Sequence, residues 1–165
     1  MQRIQTYLYP NRIEVQILDN SINGPRSNRV YARPVTIYQG VDNPIQVVIK
    51  NQEQRPFNVT GYAVQADIQD PVNRVTVESF AVVMSDATRG LGTFLIDRDT
   101  SLALDQRFYN ITFKAIKTSD NSEQPMYADD NFGAPILMEV REAYYTASQT
   151  APTVDDAILD AGTLE

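Results

Sequence analysis

Apolar and polar residues alternate with a period of two along most of the chain, most clearly from Tyr38 to Ile68. Ile45, Val47 and Ile49 alternate with Gln46, Val48 and Lys50, and Tyr62, Val64, Ala66 and Ile68 alternate with Ala63, Gln65 and Asp67. Successive strand side chains point to opposite faces, so this pattern predicts two half-buried strands. The connection NQEQRPFNVTG contains Pro56 and ends at Gly61, which lets the chain turn, and Phe57 and Val59 are expected to tuck under the sheet edge.

Similar runs flank this pair. Ile13, Val15 and Ile17 predict a strand over Arg12 to Leu18. DNSINGPRSN, from Asp19 to Asn28, holds the turn pairs Asn23-Gly24 and Gly24-Pro25, and would be a long hairpin loop if the strands on either side paired. Val30 to Tyr38 resumes the alternation, with Pro34 favouring an edge or strand-entry position. In RVTVESFAVVM, Val75 and Val77 fall in one phase and Phe80, Val82 and Met84 in the other, which predicts a β-bulge or break near Glu78 to Phe80. Thr93 to Ile96 is a further short strand. DRDTSLALDQ carries the one local helical signal, with Asp99 or Thr100 as cap before Leu102, Ala103 and Leu104. Phe108 to Lys117 and Ile136 to Tyr144 complete the strands, while TSDNSEQP and MYADDNFGAP read as loops. Eight or so short strands with Gly, Pro and Asn turns and no recurrent long helix predict an all-β sandwich, with a single twisted barrel as the alternative. The expected division is an N-terminal arm or edge strand over 1–11, a β-sandwich domain over 12–147 and an acidic C-terminal tail over 148–165.

Composition narrows the chemistry. The 165 residues suit one domain with extended arms, and the chain contains no Cys and no His. Disulfides, thiolate chemistry and histidine-based catalysis or metal binding are thereby excluded. The net charge of −7 disfavours a nucleic-acid backbone as partner, and Asp155, Asp156, Asp160 and Glu165 concentrate the excess in the tail. No signal-like opening and no membrane-length apolar run occurs, so a soluble, untargeted chain is expected. Asp97 and Asp99 around Arg98 suggest paired carboxylates, and Asp129 with Asp130 a calcium corner, yet neither has the spacing of an oxygen-rich calcium loop. ATRGLGT, from Ala87 to Thr93, lacks the lysine and following helix of a phosphate cradle and reads as a turn. Asn58-Val59-Thr60 and Asn110-Ile111-Thr112 match the glycosylation acceptor pattern, but without a signal peptide they are read as β-forming threonines near polar turns. No catalytic residue, cofactor or metal is expected.

Aromatic residues near strand ends, loops and the two arms carry more information. Tyr7, Tyr9, Tyr38, Tyr127, Phe132, Tyr144 and Tyr145 are the candidate protein-contact residues, with Tyr31 similarly placed. Packing at the sandwich rim with a satisfied hydroxyl is the simpler explanation for Tyr38 and Tyr145. A sugar-binding module would also use exposed tyrosines as stacking platforms, but the chain has no Trp.

The segments YQGVDNPIQVVIKN, RPFNVTGYAVQADIQDP and DQRFYNITFKAI, spanning roughly Tyr38 to Ile116, resemble the N-terminal domain of phage upper-baseplate proteins and related phage tail accessory proteins. The resemblance implies an immunoglobulin-like sandwich of about seven to nine short strands, used in virion assembly and without enzymatic activity. It also implies other virion structural proteins as partners, with repeated copies or a homo-oligomer in a symmetric assembly and neither nucleic acid nor membrane bound. Neighbouring copies would meet through a free edge strand or the arms. Tail, baseplate or neck is the leading placement. The alternatives are a capsid decoration protein, a carbohydrate-binding β-sandwich module that takes a host glycan, and, more remotely, an enzyme with an Asp-based site.

Overall fold

The alternation becomes a sheet almost residue by residue in the computed structural model, which describes residues 11–20, 34–126 and 136–142. Nine strands form among them: β1 Asn11–Gln16, β2 Val35–Tyr38, β3 Asn43–Lys50, β4 Tyr62–Gln69, β5 Thr76–Asp86, β6 Leu91–Ile96, β7 Phe108–Lys117, β8 Glu123–Met126 and β9 Ile136–Arg141. One short helix, α1, covers Arg98–Ala103. Hydrogen bonding follows a single path, β1-β3-β6-β5-β4-β7-β9-β2, with β8 paired to β7. β1, β3 and β6 make one layer, and β4, β7, β8, β9 and β2 make the other. β5 joins them, pairing first with β4 and then with β6. The result is an all-β sandwich whose path curls into a nearly closed barrel.

The core is the inward-facing half of each alternation. Ile45, Val47 and Ile49 of β3, Val64, Ala66 and Ile68 of β4, and Tyr109, Ile111, Phe113 and Ala115 of β7 are all buried in it. Phe94 of β6 bridges the layers, with its ring 6.0 Å from Phe113 of β7 and 5.7 Å from Phe80 of β5. Val59 is buried and Phe57 packs against the core, as their place before Gly61 predicts. Burying an aliphatic side chain contributes about 1.5–3 kcal/mol, so this layer is the main favourable term in folding.

β5 changes layers through two bulges. Ile68 and Gln69 are adjacent on β4 but pair with Glu78 and Thr76, leaving Val77 extra; Gly92 and Leu91 on β6 pair with Met84 and Asp86, leaving Ser85 extra. Each extra residue bends and twists the strand locally, which carries β5 around the corner. The predicted phase slip is thus real but centred on Val77.

Several expectations change. β1 and β2 do not form a hairpin; each lies parallel to a distant strand, β1 with β3 and β2 with β9. Glu123–Met126, expected as loop, is a strand. Met126 and Ile136 face Phe113 and Ile111, two residues apart on β7, so β8 and β9 extend one line of pairing on either side of residues 127–135. The cap of α1 is Asp97, whose carboxylate accepts from Thr100 N at 2.9 Å. Asp97 leaves β6 with extended backbone, which brings its short side chain to the first helical N–H groups; Asp99 and Thr100 are already helical. Buried Ser101 fixes α1 to the β2–β3 turn, accepting from Gly40 N at 3.1 Å and donating to Arg98 O at 2.8 Å. Tyr109 Oη accepts from Asp105 N at 3.0 Å, a bond of the tyrosine-corner type found where immunoglobulin-like sandwiches enter a core strand.

Two glycines separate backbone strain from crowding. Gly61 has φ +84° and open space where a Cβ would lie, whereas Gly90 has φ +64° and a Cβ there would sit 2.5 Å from Ile49 O and 2.7 Å from Phe57 O. Gly61→Ala is expected to cost about 1–2 kcal/mol from the left-handed backbone alone. Gly90→Ala should cost clearly more, because two main chains must also move; urea unfolding of both variants checks the order.

Candidate functional site

Among the candidate contact residues, Tyr38 lies in the described part of the chain; Tyr7, Tyr9, Tyr127, Phe132, Tyr144 and Tyr145 lie outside it, as do Tyr31, Asp129 and Asp130. Tyr38 ends β2 on the outer face, 39% exposed and in register with Arg141 of β9. Its main chain is fully engaged. Asn43 Oδ1 accepts from Tyr38 N at 3.0 Å, and Asn43 Nδ2 donates to Tyr38 O at 2.9 Å. Asn11 Nδ2 donates to Thr36 O at 2.9 Å, so amide side chains occupy the β2 edge that faces β1.

At the far end of the β1 side, the Gln52 amide accepts from Asp19 N at 2.9 Å and donates to Asp19 O at 2.8 Å, while Gln124 of β8 donates to Leu18 O at 2.8 Å. Asn11 on Thr36 and Gln124 on Leu18 therefore join the two ends of the path through amide side chains, which present a donor and an acceptor side by side as a peptide group does. At β2 this removes groups that a foreign strand would need for edge pairing.

The residues that sequence reasoning missed are apolar and lie on the outer face. Of the ten large hydrophobic side chains exposed among the described residues, six (Tyr38, Val72, Val75, Val77, Phe108 and Leu137) lie toward one end of one layer, with Gln69, Asn110, Glu139 and Arg141 between them. The register places them there. Thr76 faces Gln69, Gln69 faces Asn110 and Asn110 faces Leu137 across β5, β4, β7 and β9. Two residues nearer the end, Phe108 faces Glu139, which lies beside Thr36; Arg141 beside Tyr38 is the next such step. Val72 and Val75 belong to the β4–β5 turn at the same end, and Val72 is 86% exposed. The signal was present in the pattern. Val77 is out of phase with Phe80 and Val82, Phe108 with Tyr109, and Leu137 with Ile136 and Met138.

This end is held in shape by Asp70. Its carboxylate accepts from Val72 N at 2.8 Å and from Arg107 Nη2 at 2.8 Å, while Asp70 O accepts from Arg74 N and Asp70 N donates to Val75 O, both at 2.9 Å. The Val72 N–H, more than any other group, holds the Asp70 carboxyl below its ordinary value of 3.8, with help from Arg107 against partial desolvation. Arg107 lies over the Tyr109 ring, 4.8 Å from its centroid, and its pKa is raised first by Tyr109 and then by Asp70. Arg141 Nη2 pairs with Glu139 Oε2 at 2.8 Å. Asp70 and Arg107 continue the inward phases of β4 and β7 at this end of the core, whereas the Arg141–Glu139 pair lies on the outer face between Phe108 and Tyr38.

The suggested carboxylate pair at Asp97 and Asp99 does not form a site, because Asp97 is spent on the helix cap, with its carboxyl lowered chiefly by Thr100. Among the described residues no group of three or more His, Cys, Asp or Glu side chains could hold a metal ion. Ala87–Arg89 forms a short 3-10 turn ending at left-handed Gly90, as the ATRGLGT reading expects. Among the described residues no helix is long and apolar enough to cross a membrane.

No protein-family model matches the chain, and no curated protein matches it. Among solved structures it is similar to the N-terminal domain of phage TP901-1 ORF48, with a TM-score of 0.54 and 12% identity over 79% of this chain and 98% of that one. At 12% identity the likeness is one of fold.

Two outcomes are expected here. Asn43→Ala leaves Tyr38 N and O without partners and should lower stability by about 1–3 kcal/mol. It should also increase aggregation by opening the edge; urea unfolding and light scattering measure the two effects. Because the folded Asp70 pKa lies below 3.8, its contribution is present at neutral pH and is lost as pH falls through the acid range below that value. Amide exchange at Val72 and Arg74 should rise, relative to β4 amides, as Asp70 is protonated, and Asp70→Asn should remove the transition.

Proposed function

We propose that the chain is a non-enzymatic structural protein of a phage virion, a tail, baseplate or neck component that makes repetitive protein–protein contacts. The observation that carries this reading is the fold likeness to a phage protein's N-terminal domain, of which it covers 98%. The sequence resemblance to upper-baseplate N-terminal domains over Tyr38 to Ile116 supports the same assignment. The chemistry agrees: a scaffold whose β2 edge is occupied by Asn43 and whose sequence has no His or Cys suits contact better than catalysis.

In this reading the protein resides in the virion and its partners are other virion structural proteins and further copies of itself. Tyr38 and the tyrosines and phenylalanine outside the described residues, Tyr7, Tyr9, Tyr127, Phe132, Tyr144 and Tyr145, act as contact residues. The segments 1–10 and 148–165 act as assembly arms, because neither has the sustained alternation that builds the body.

Removing 1–10 or 148–165 should leave the unfolding transition of the body within about 1 kcal/mol of the intact chain. The same truncations should reduce incorporation into particles in a complementation assay. Full incorporation of both truncated forms would refute the arm assignment. Glycan-array binding that disappears on mutation of Tyr38, in a chain that never enters particles, would favour a carbohydrate-binding module instead.

A further inference from the structure

We infer that one end of the sandwich is a tyrosine-built contact surface for a single partner, a different protein that presents a basic face. This rests on the assembly reading above and adds to it where the contact residues meet and what they meet. The ground is where the chain joins the body. Asn11 opens β1, and its Nδ2 donates to Thr36 O at 2.9 Å; Tyr38, two residues on, closes β2 in register with Arg141, the last residue of β9. Residues 1–10 and the residues after Glu142 are therefore attached at the same end.

Tether length brings the aromatic residues there. Tyr7 and Tyr9 precede Asn11 by at most four residues and Tyr144 and Tyr145 follow Glu142 by at most three, so each stays within about 15 Å of its attachment. With Tyr38, which is exposed on a main chain that Asn43 holds, five of the nine tyrosines are tethered to this end. Tyr62 and Tyr109, by contrast, pack in or against the core. Tyrosine supplies a large amphipathic contact area that costs little conformational entropy to fix, and it is enriched in protein contacts for that reason.

Charge selects the partner. α1 and the β2–β3 turn belong to the same end, since Gly40 N donates to Ser101 Oγ at 3.1 Å and Arg98 N to Asp42 Oδ1 at 3.0 Å. Asp42, Asp97, Asp99 and Asp105 are exposed there around Arg98. Arg107 and Arg141 are already paired with Asp70 and Glu139, both at 2.8 Å. Asp155, Asp156, Asp160 and Glu165 follow on the C-terminal segment, against Arg3 in residues 1–10. Opposite charge steers encounter and fixes orientation, so the surface that fits this end is basic. The same end of a second copy carries the same carboxylates and is repelled.

Photo-crosslinking in the full chain is the test. A benzophenone amino acid replaces Tyr7, Tyr38 or Tyr145, or, as a control, the exposed Arg55 in the loop after β3 at the opposite end. Crosslinks are read in assembled particles and in the cells that make them. The three tyrosine positions should capture one and the same protein, other than this chain, through peptides rich in Lys and Arg, and Arg55 should not capture it. Asp99→Lys combined with Asp105→Lys, both exposed and neither the cap of α1, should lower this capture at least about tenfold. The unfolding transition should stay close to that of the intact chain.

Tyrosine positions that capture no protein, different proteins or a second copy, or a charge-reversed chain captured like the intact one, would each overturn the inference. Where no protein is captured, glycan-array binding lost with Tyr38→Ala makes the end a sugar site instead. If the three positions capture one basic protein in cells while the chain is absent from particles, the inference stands and the virion reading falls. Capture of different proteins within particles gives the reverse.

Discussion

A row of peptide groups on a strand edge must be hydrogen bonded or hydrated, and a sheet that curls back on itself brings two such rows together. Here the two rows belong to β1 and β2, which share no ladder pairing. Amide side chains bridge the two ends of the path instead, Asn11 on Thr36 and Gln124 on Leu18, while Asn43 satisfies both groups of Tyr38 and Gln52 both groups of Asp19. The rest of the architecture depends on this closure. It lets a single eight-strand path, with β8 beside it, enclose one core without a complete barrel.

β5 is the second requirement. One strand has to serve both layers, and the two bulges at Val77 and Ser85 allow it to turn without breaking the ladder on either side. Val77, left unpaired by the first bulge, is exposed beside the turn that Asp70 holds.

Most of the fold was legible because the period-two pattern is strong. In β3, β4, β7 and β9 the inward residues are those the alternation selects, and Phe108–Lys117 is bounded as expected. Partnering was not legible. Alternation says which face of a strand is buried but nothing about which strand lies beside it, so the parallel pairs β1–β3 and β2–β9 had no local signature. β8 escaped because EQPM has almost no apolar alternation and is held as a strand by its neighbour β7. The helix cap shifted to Asp97 because any of several adjacent polar residues satisfies the sequence rule, and backbone direction out of β6 decides among them. The exposed large side chains were half legible. Attention to tyrosines singled out Tyr38, which is exposed, but Phe108 and Leu137 needed the converse reading, in which an apolar residue out of phase with its strand marks the outside.

The pairing of β2 with β9 also gives the molecule a history. Val35 lies beside Met138 and Tyr38 beside Arg141, contacts between parts of the chain made at very different times during synthesis. Until the last strand exists, β2 has no sheet partner, although Asn43, only five residues on, can already cover Tyr38. Contacts of such long sequence separation are slow to form, because a large loop must close before they yield any stability. The local amide clamp therefore shields β2 during the interval in which an unpaired strand is most prone to join the wrong neighbour.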